Sequence, residues 1–388
     1  MTGVVTDALL IARAAWSRLV EPGDAVAGAL VAALGPQEAL DWLRGHEPLP
    51  GLAAADGRAR AALGAAAQRW RTRLPDLDAA RDLGMLERVG GRLLVPEAPG
   101  WPRGLEVLGS SAPMCLWVRG SLAGEALGAA LRRSVALVGA RACTGYGEHV
   151  TAEIAAGVAA RGWCVVSGGA YGIDAVAHRA ALAGDGTTVA FLAGGVDRLY
   201  PAGNTELLRA VADAGALVSE VPPGSVPAKV RFLQRNRLIA AVSGATVVVE
   251  AAWRSGALST ARHAASLLRP VGAVPGPVTS ASSAGCHRLL RDGVAVCVCD
   301  TAEVLELVEP VPAPEPRTDP RAGDGLDLVL RRTLDALPLR RPAPEGSVAR
   351  TAGLSEREVR ASLGRLELAG LAVRDAHGWR RANPDRSR

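Results

Sequence analysis

From residue 133 to about residue 307 the chain alternates short apolar runs, rich in β-branched residues, with stretches of helical spacing. The runs cover 134–139, 164–167, 187–192, 216–220, 246–250, 270–274 and 294–298. Each is apolar on both parities, the pattern of a parallel strand covered by helices on both faces, and each ends in a loop of Gly, Ser, Asp or Pro. The alternation predicts βαβ units and an α/β fold with a mostly parallel sheet. In an open sheet of that kind the ligand sits at the carboxyl ends of the strands, so the loops there are where chemistry is sought.

The flanks read differently. Residues 5–44 and 57–73 carry helical spacing rich in Ala and Leu, broken at Pro22-Gly23, Gly35-Pro36 and 48–51, which predicts a helical N-terminal domain over 1–83. Short runs at 92–95 and 114–118 lead into the sheet, placing the central domain at 92–308. Residues 309–324 are rich in Pro and charge without periodicity, a semi-rigid linker. Beyond it, helices over 326–337, 347–352 and 355–368 and a hairpin over 371–381 around His377-Gly378 make a winged-helix pattern at 325–385.

Composition narrows the picture. Of 388 residues, 49% are hydrophobic and 21% charged, which excludes a disordered chain. Aromatics are only 3%, so one left on the surface is suspect. The net charge is +5, and residues 339–388 supply all of it with 11 Arg against 6 acidic residues. The rest is neutral, so an anion site in the main body has to be a local patch. Lys229 is the only lysine among 44 basic residues. Six cysteines without a CxxC pair or a His at zinc spacing indicate neither a metal site nor a disulfide framework. Reduced thiols, Asp7 where a signal peptide would be positive, and the lack of an 18-residue apolar stretch predict a cytoplasmic protein with no membrane contact.

Three glycine loops follow the first three runs of the central domain. In the first, Gly139-Ala140-Arg141 leads to a helix starting near Gly145, and backbone N–H groups with the Arg141 guanidinium could hold a phosphate there. The second, Ser167-Gly168-Gly169-Ala170-Tyr171-Gly172, again lets backbone approach a ligand, and the third runs Gly194 to Pro201. Together they suggest one long rim for phosphates. None has the spacing of a dinucleotide fingerprint or a Walker A loop, so no cofactor is expected. Asp174 and His178 share a helix face, a pair read as structural because no nucleophile accompanies it. The segment Lys229-Val230-Arg231-Phe232-Leu233-Gln234-Arg235-Asn236-Arg237 sets four cations beside one of only two phenylalanines. Cations beside a ring suit single-stranded nucleic acid; equally, Phe232 could be the first core residue of a helix over 232–242.

The ordered set VGAR, SGGAYGIDAVAH, GGVDRLYP, RFLQRNRLIAAVS, VVVEA, SGALSTARHA, VPGPV and GCHRLL resembles the DprA/Smf family of DNA-processing proteins, from about residue 93 to 307. The resemblance implies a Rossmann-like domain that binds single-stranded DNA without sequence preference, dimerises and loads the RecA recombinase, with no catalytic reaction. It assigns DNA contacts to Gly139, Arg141, Lys229, Phe232, Arg235, Asn236 and Arg237, and the expected DNA-binding site also takes in Ser167, Gly168, Gly172, Arg231, Ser255 and Gly256. Ala140 stands where the family often has Ser or Thr, leaving only its backbone N–H. The alternative is a Rossmann-like enzyme acting on a nucleotide or other phosphorylated small molecule. Glu250, its candidate base, is read instead as capping the 255–260 loop. In the tail, Arg357, Arg360 and Arg365 could face a major groove, but interleaved with acids they are read as a solvated face or a protein contact.

Overall fold

A computed structural model describes residues 5–45, 57–309, 326–339 and 341–382. They fall into two compact units, Met1–Pro310 and Val311–Arg388.

The first unit is built on β1 (Gly91–Leu94), β2 (Leu116–Gly120), β3 (Ser134–Val138), β4 (Cys164–Ser167), β5 (Thr188–Leu192), β6 (Ala216–Ser219), β7 (Ala245–Val248), β8 (Val271–Ala273) and β9 (Val296–Cys297). In space they run β1-β2-β6-β5-β4-β3-β7-β8-β9. All neighbours from β6 to β9 are parallel, and β2 runs against both β1 and β6. The chain works outward from β3 through β4 and β5 to β6, then returns to lay β7, β8 and β9 on the other side of β3. The reversal falls between β3 and β7, where Val138 pairs with Val248.

The double-sided apolar pattern has the consequence expected of it. Val135, Leu137, Val165 and Val247 face one layer, with Ile154, Val158, Ile173 and Ala177. Ala136, Val138, Val166 and Val248 face the other, with Leu127, Leu131, Leu238 and Leu258. Successive side chains of one strand thus serve opposite helix layers. Two strands depart from expectation. The lead-in strand starts at Leu116 rather than residue 114, because Met114 and Cys115 are buried beneath the N-terminal helices. The last strand shrinks to Val296–Cys297, an exposed edge with a partner on one side only.

The N-terminal region forms the helices Asp7–Leu19, Ala25–Leu34, Pro36–Arg44, Gly57–Arg71 and Ala79–Arg88. It is not a separate body, in contrast to the domain expected over 1–83. Trp16, Leu19 and Trp70 share a core with Trp117, Leu192 and Leu217 of the sheet. Trp117 Nε1 donates to Ser17 Oγ (2.9 Å), and that hydroxyl donates to the Glu220 carbonyl (2.9 Å). The expected break at 48–51 lies outside the described residues.

The second unit holds helices Leu328–Ala336, Glu345–Ala352 and Glu356–Leu368, then an antiparallel hairpin of β10 (Ala372–Asp375) and β11 (Gly378–Arg381). Leu330, Leu334, Val359, Leu363 and Trp379 form its core. Ser355 and Glu358 make a capping box at the third helix. The expected linker over 309–324 lies, apart from Glu309, outside the described residues.

Candidate nucleic-acid interface

In a sheet of this winding, the crevice at the carboxyl ends beside the reversal of strand order is the place for a ligand. Here it is flanked by the loops after β3 and β7, and its anion chemistry differs from expectation. The Ala140 N–H donates to the Glu250 carbonyl (2.7 Å). The Glu250 carboxylate accepts from the Thr144 N–H (2.9 Å) and the Thr144 hydroxyl (2.6 Å). That hydroxyl also accepts from the Gly147 N–H, capping helix Gly145–Ala160. The anion at this helix start is therefore the protein's own, and Glu250 and the Thr144 cap engage the N–H groups of Ala140, Thr144 and Gly147. Glu250, 1% exposed, caps this loop rather than the 255–260 loop.

Arg141 remains outside that network. It is exposed, and its guanidinium lies 5.0 Å from the centre of the Phe232 ring. Phe232 is half-buried and so is not a core residue. Its ring meets Tyr200 with centroids 5.9 Å apart, and Arg235 lies 6.0 Å from its centre. The helix begins at Lys229, three residues before the expected start, with Lys229 exposed. Neither Arg141 nor Lys229 forms an ion pair with any described residue. This corner therefore sets Arg141 against an aromatic pair, with the exposed Lys229 one turn before Phe232 on its helix.

The other candidates divide. Ser167 is fully buried and its hydroxyl donates to the Leu137 carbonyl (2.6 Å). Gly168 is buried, and its N–H donates to the Asp174 carboxylate (3.1 Å). Both belong to the scaffold, in correction of the DNA-contact assignment. Arg235, Asn236 and Arg237 are 7%, 8% and 7% exposed, and they too are supports. Arg235 donates to the carbonyls of Gly168 (2.8 Å) and Phe191, and Asn236 donates to the Gly256 carbonyl (3.3 Å). Arg237 grips Glu220 through both carboxylate oxygens (2.5 and 2.7 Å). Half-buried Arg231 is bound to Glu21 of the N-terminal region (3.0 and 3.1 Å). Gly139, Gly172 and Ser255 are partly open and Gly256 is exposed. A Cβ on Gly172 would lie 2.2 Å from the Ala140 carbonyl oxygen, so glycine is required for that loop to support the Arg141 turn. The third glycine loop closes instead of forming a rim, since the Gly195 N–H donates to the Ser225 carbonyl (3.0 Å).

Asp174 and His178 are structural, as read. Burial raises the Asp174 carboxyl above its usual range, against the opposing charge of Arg235 and the N–H groups of Ala170 and Gly168. His178 is fully buried, and its Nδ1 lies 2.7 Å from Thr188 Oγ1. That hydroxyl spends its proton on the Val165 carbonyl (2.8 Å), so Nδ1 is the donor, and burial, which pushes the imidazole down to about 3, keeps the ring neutral near pH 7.

The tyrosines are functional candidates that the sequence expectations leave out. The chain has three, Tyr146 in the first turn of helix Gly145–Ala160 and Tyr171 and Tyr200 in loops, and all are exposed at this edge (41%, 47% and 50%). Trp253, in the loop after β7, is 53% exposed. The signal was present: in a chain with so few aromatics, each of these four follows a strand run by a few residues.

The fold and this edge define the class: a Rossmann-like α/β protein with an aromatic and cationic crevice at the reversal point of a parallel sheet. Residues 92–309 match the family model described as DNA recombination-mediator protein A. Over 378 residues the chain is 44% identical to a Mycobacterium tuberculosis relative bearing the name of a DNA processing protein, covering 94% of this chain and 92% of that one. To the protein Smf of Escherichia coli it is 42% identical over 173 residues, 44% of this chain and 46% of that one. The X-ray structure of DNA processing protein A from Streptococcus pneumoniae matches with a TM-score of 0.61 at 28% identity, over 79% of this chain and 99% of that one. The chain belongs to the DNA recombination-mediator protein A family.

Proposed function

We propose that the protein binds single-stranded DNA along the carboxyl edge of its sheet without reading sequence, as an accessory factor of transformation and recombination. The observation that carries this is the corner where Arg141, without an ion pair, lies 5.0 Å from the centre of the Phe232 ring beside Tyr200, with Lys229 exposed at the start of the helix that carries Phe232. Cations take phosphates and the rings take bases, a combination that suits a single strand because its bases are free to stack. The reading includes delivery of the strand to a RecA-type recombinase, action as a homodimer in the cytoplasm, and no catalysis. Support for the last point is that Glu250 and His178 are both engaged inside the scaffold. Among the described residues no helix is long and apolar enough to cross a membrane, and no cluster of three metal-ligating side chains occurs.

The test is a salt titration of labelled single- and double-stranded oligonucleotides of equal length. The single strand is expected to bind more tightly, its log-log salt slope about −0.7 per phosphate neutralised. A flat slope, or preference for the duplex, would sink the reading. On a strand coated with single-strand binding protein, addition of this protein should shorten the lag before RecA filaments form. An unchanged lag removes the recombinase from the proposal.

A further inference from the structure

The Arg141–Phe232 corner uses only one side of the reversal point. On the other side the same edge carries a second group of side chains. Trp253 is the one exposed tryptophan of the chain's eight; Trp16, Trp70, Trp101, Trp117, Trp163 and Trp379 are buried and Trp42 is half-buried. A lone surface indole would need no explanation, but this one has company. The Arg288 guanidinium, which also donates to the Asp292 carboxylate (3.2 Å), lies 4.9 Å from the ring centre, and the adjacent Arg254 is exposed. Tyr146, after β3, is pinned toward the loop after β8 by its hydroxyl, which donates to the Pro275 carbonyl (2.5 Å). Val278 in that loop is 89% exposed. Trp253, Arg254 and Val278 belong to the loops after β7 and β8, Tyr146 to the first turn of helix Gly145–Ala160 and Arg288 to helix Ala284–Arg291, all following strands whose carboxyl ends form the edge that carries Arg141.

We propose that a bound single strand continues across the reversal point onto a second stacking platform formed by Trp253 and Tyr146, with the exposed Arg254 as its phosphate partner. The inference rests on the single-strand reading above and extends it to the other half of the edge. Charge complementarity and continuity with the first corner identify the occupant: rings flanked by cations fit bases flanked by phosphates. The loops that carry Tyr200 and Pro275 follow β5 and β8, four strand spacings apart, or about 19 Å. A strand of a few nucleotides therefore fills one platform only, and a longer one reaches both.

The experiment uses the full chain and fluorescein-labelled oligothymidylates, one too short and one long enough to span the edge. Affinity is read from anisotropy and tryptophan emission is followed in parallel. With the long strand, Trp253→Ala is expected to weaken binding about 5- to 150-fold, the loss of one stacked base. With the short strand its affinity should stay within about twofold of the parent, because Phe232 still serves. Trp253→Phe should recover most of the long-strand affinity, and the quench of emission seen in the parent should be missing from it. Unchanged melting temperatures confirm that the variants fold. If the parent binds both strands but Trp253→Ala binds them as tightly and no emission is quenched, the second platform is refuted while the first corner stands. If the parent binds neither strand, the single-strand reading itself fails and takes this inference with it.

Discussion

At the scale of single residues, the difference between a ligand contact and a support is a difference in burial. Phe232 sits partly open between Arg141 and Tyr200, whereas Arg235, one turn later, is buried against two carbonyls. Phe232→Ala is expected to cost about 1–3 kcal/mol in single-strand affinity and little melting temperature. A core phenylalanine would lose about 3–5 kcal/mol of stability. Affinity and melting temperature measured on the one variant separate the cases, and a large melting loss with intact affinity would return Phe232 to the core. Arg141→Ala should weaken binding to all sequences alike and reduce the salt slope by about 0.7, since a phosphate contact positions without reading. Sequence-dependent loss would place Arg141 on a base instead. His178 sets a pH dependence. Burial pushes its imidazole down to about 3, with the charge of Arg235 adding to the shift, against about 6.5 in an unfolded chain. Between those values the unfolded chain binds a proton that the folded chain refuses, so this group's contribution to stability is lost as pH falls from about 6.5 toward 3. The melting temperature of His178→Asn should fall less steeply on acidification than that of the parent. Parallel curves would contradict the assignment.

At the scale of elements, the strands were legible because burial on both faces leaves a mark on every residue of β3 to β7. Which polar residues face the crevice was not, since Arg141 and Arg235 are the same residue type and only the surrounding backbone decides their exposure. The helix Lys229–Val242 illustrates this: its first turn is open and carries Lys229, while Arg235, Asn236 and Arg237 are already inside. The anion site expected at helix Gly145–Ala160 failed for a related reason. A carboxylate more than 100 residues away in sequence, on Glu250, fills it, and no local pattern announces such a partner. Gly172 tests how tightly these elements are geared. Its φ is +72°, and a Cβ would meet the carbonyl oxygens of Ala140 and Arg141 at 2.2 and 2.5 Å. Gly172→Ala should destabilise the fold by more than about 1 kcal/mol and lower single-strand affinity with Arg141 still present, because the turn that presents it has to shift. Loss of stability with unaltered affinity per folded molecule would uncouple the two loops.

At the scale of the whole molecule, the chain divides where its composition changes. Everything from the N-terminal helices to Val308 shares the sheet's cores, and the unit boundary falls beside the Pro-rich stretch that follows. The N-terminal helices misled because helical spacing shows that a helix is amphipathic and not what it packs against; their partners Trp117, Leu192 and Leu217 lie far along the chain. In the second unit, Arg360 pairs with Glu345 (2.8 Å) and Arg365 with Asp327 (3.1 Å), both exposed, as a solvated charged face would have it. Those two arginines therefore carry little free charge to a phosphate backbone. Removing residues 311–388 should leave a body that melts cooperatively near the parent's temperature, since its core residues are all upstream. It should also keep its single-strand site, because Arg141, Lys229 and Phe232 remain. The truncation takes away a net charge of +4, 15 basic against 11 acidic residues, so association should slow most at low ionic strength and converge on the parent's rate as salt screens the difference. Stopped-flow association at several salt concentrations, together with calorimetric melting, measures both. A truncated protein that melts normally yet binds no single strand would move the principal site into the second unit and overturn the placement at the sheet edge.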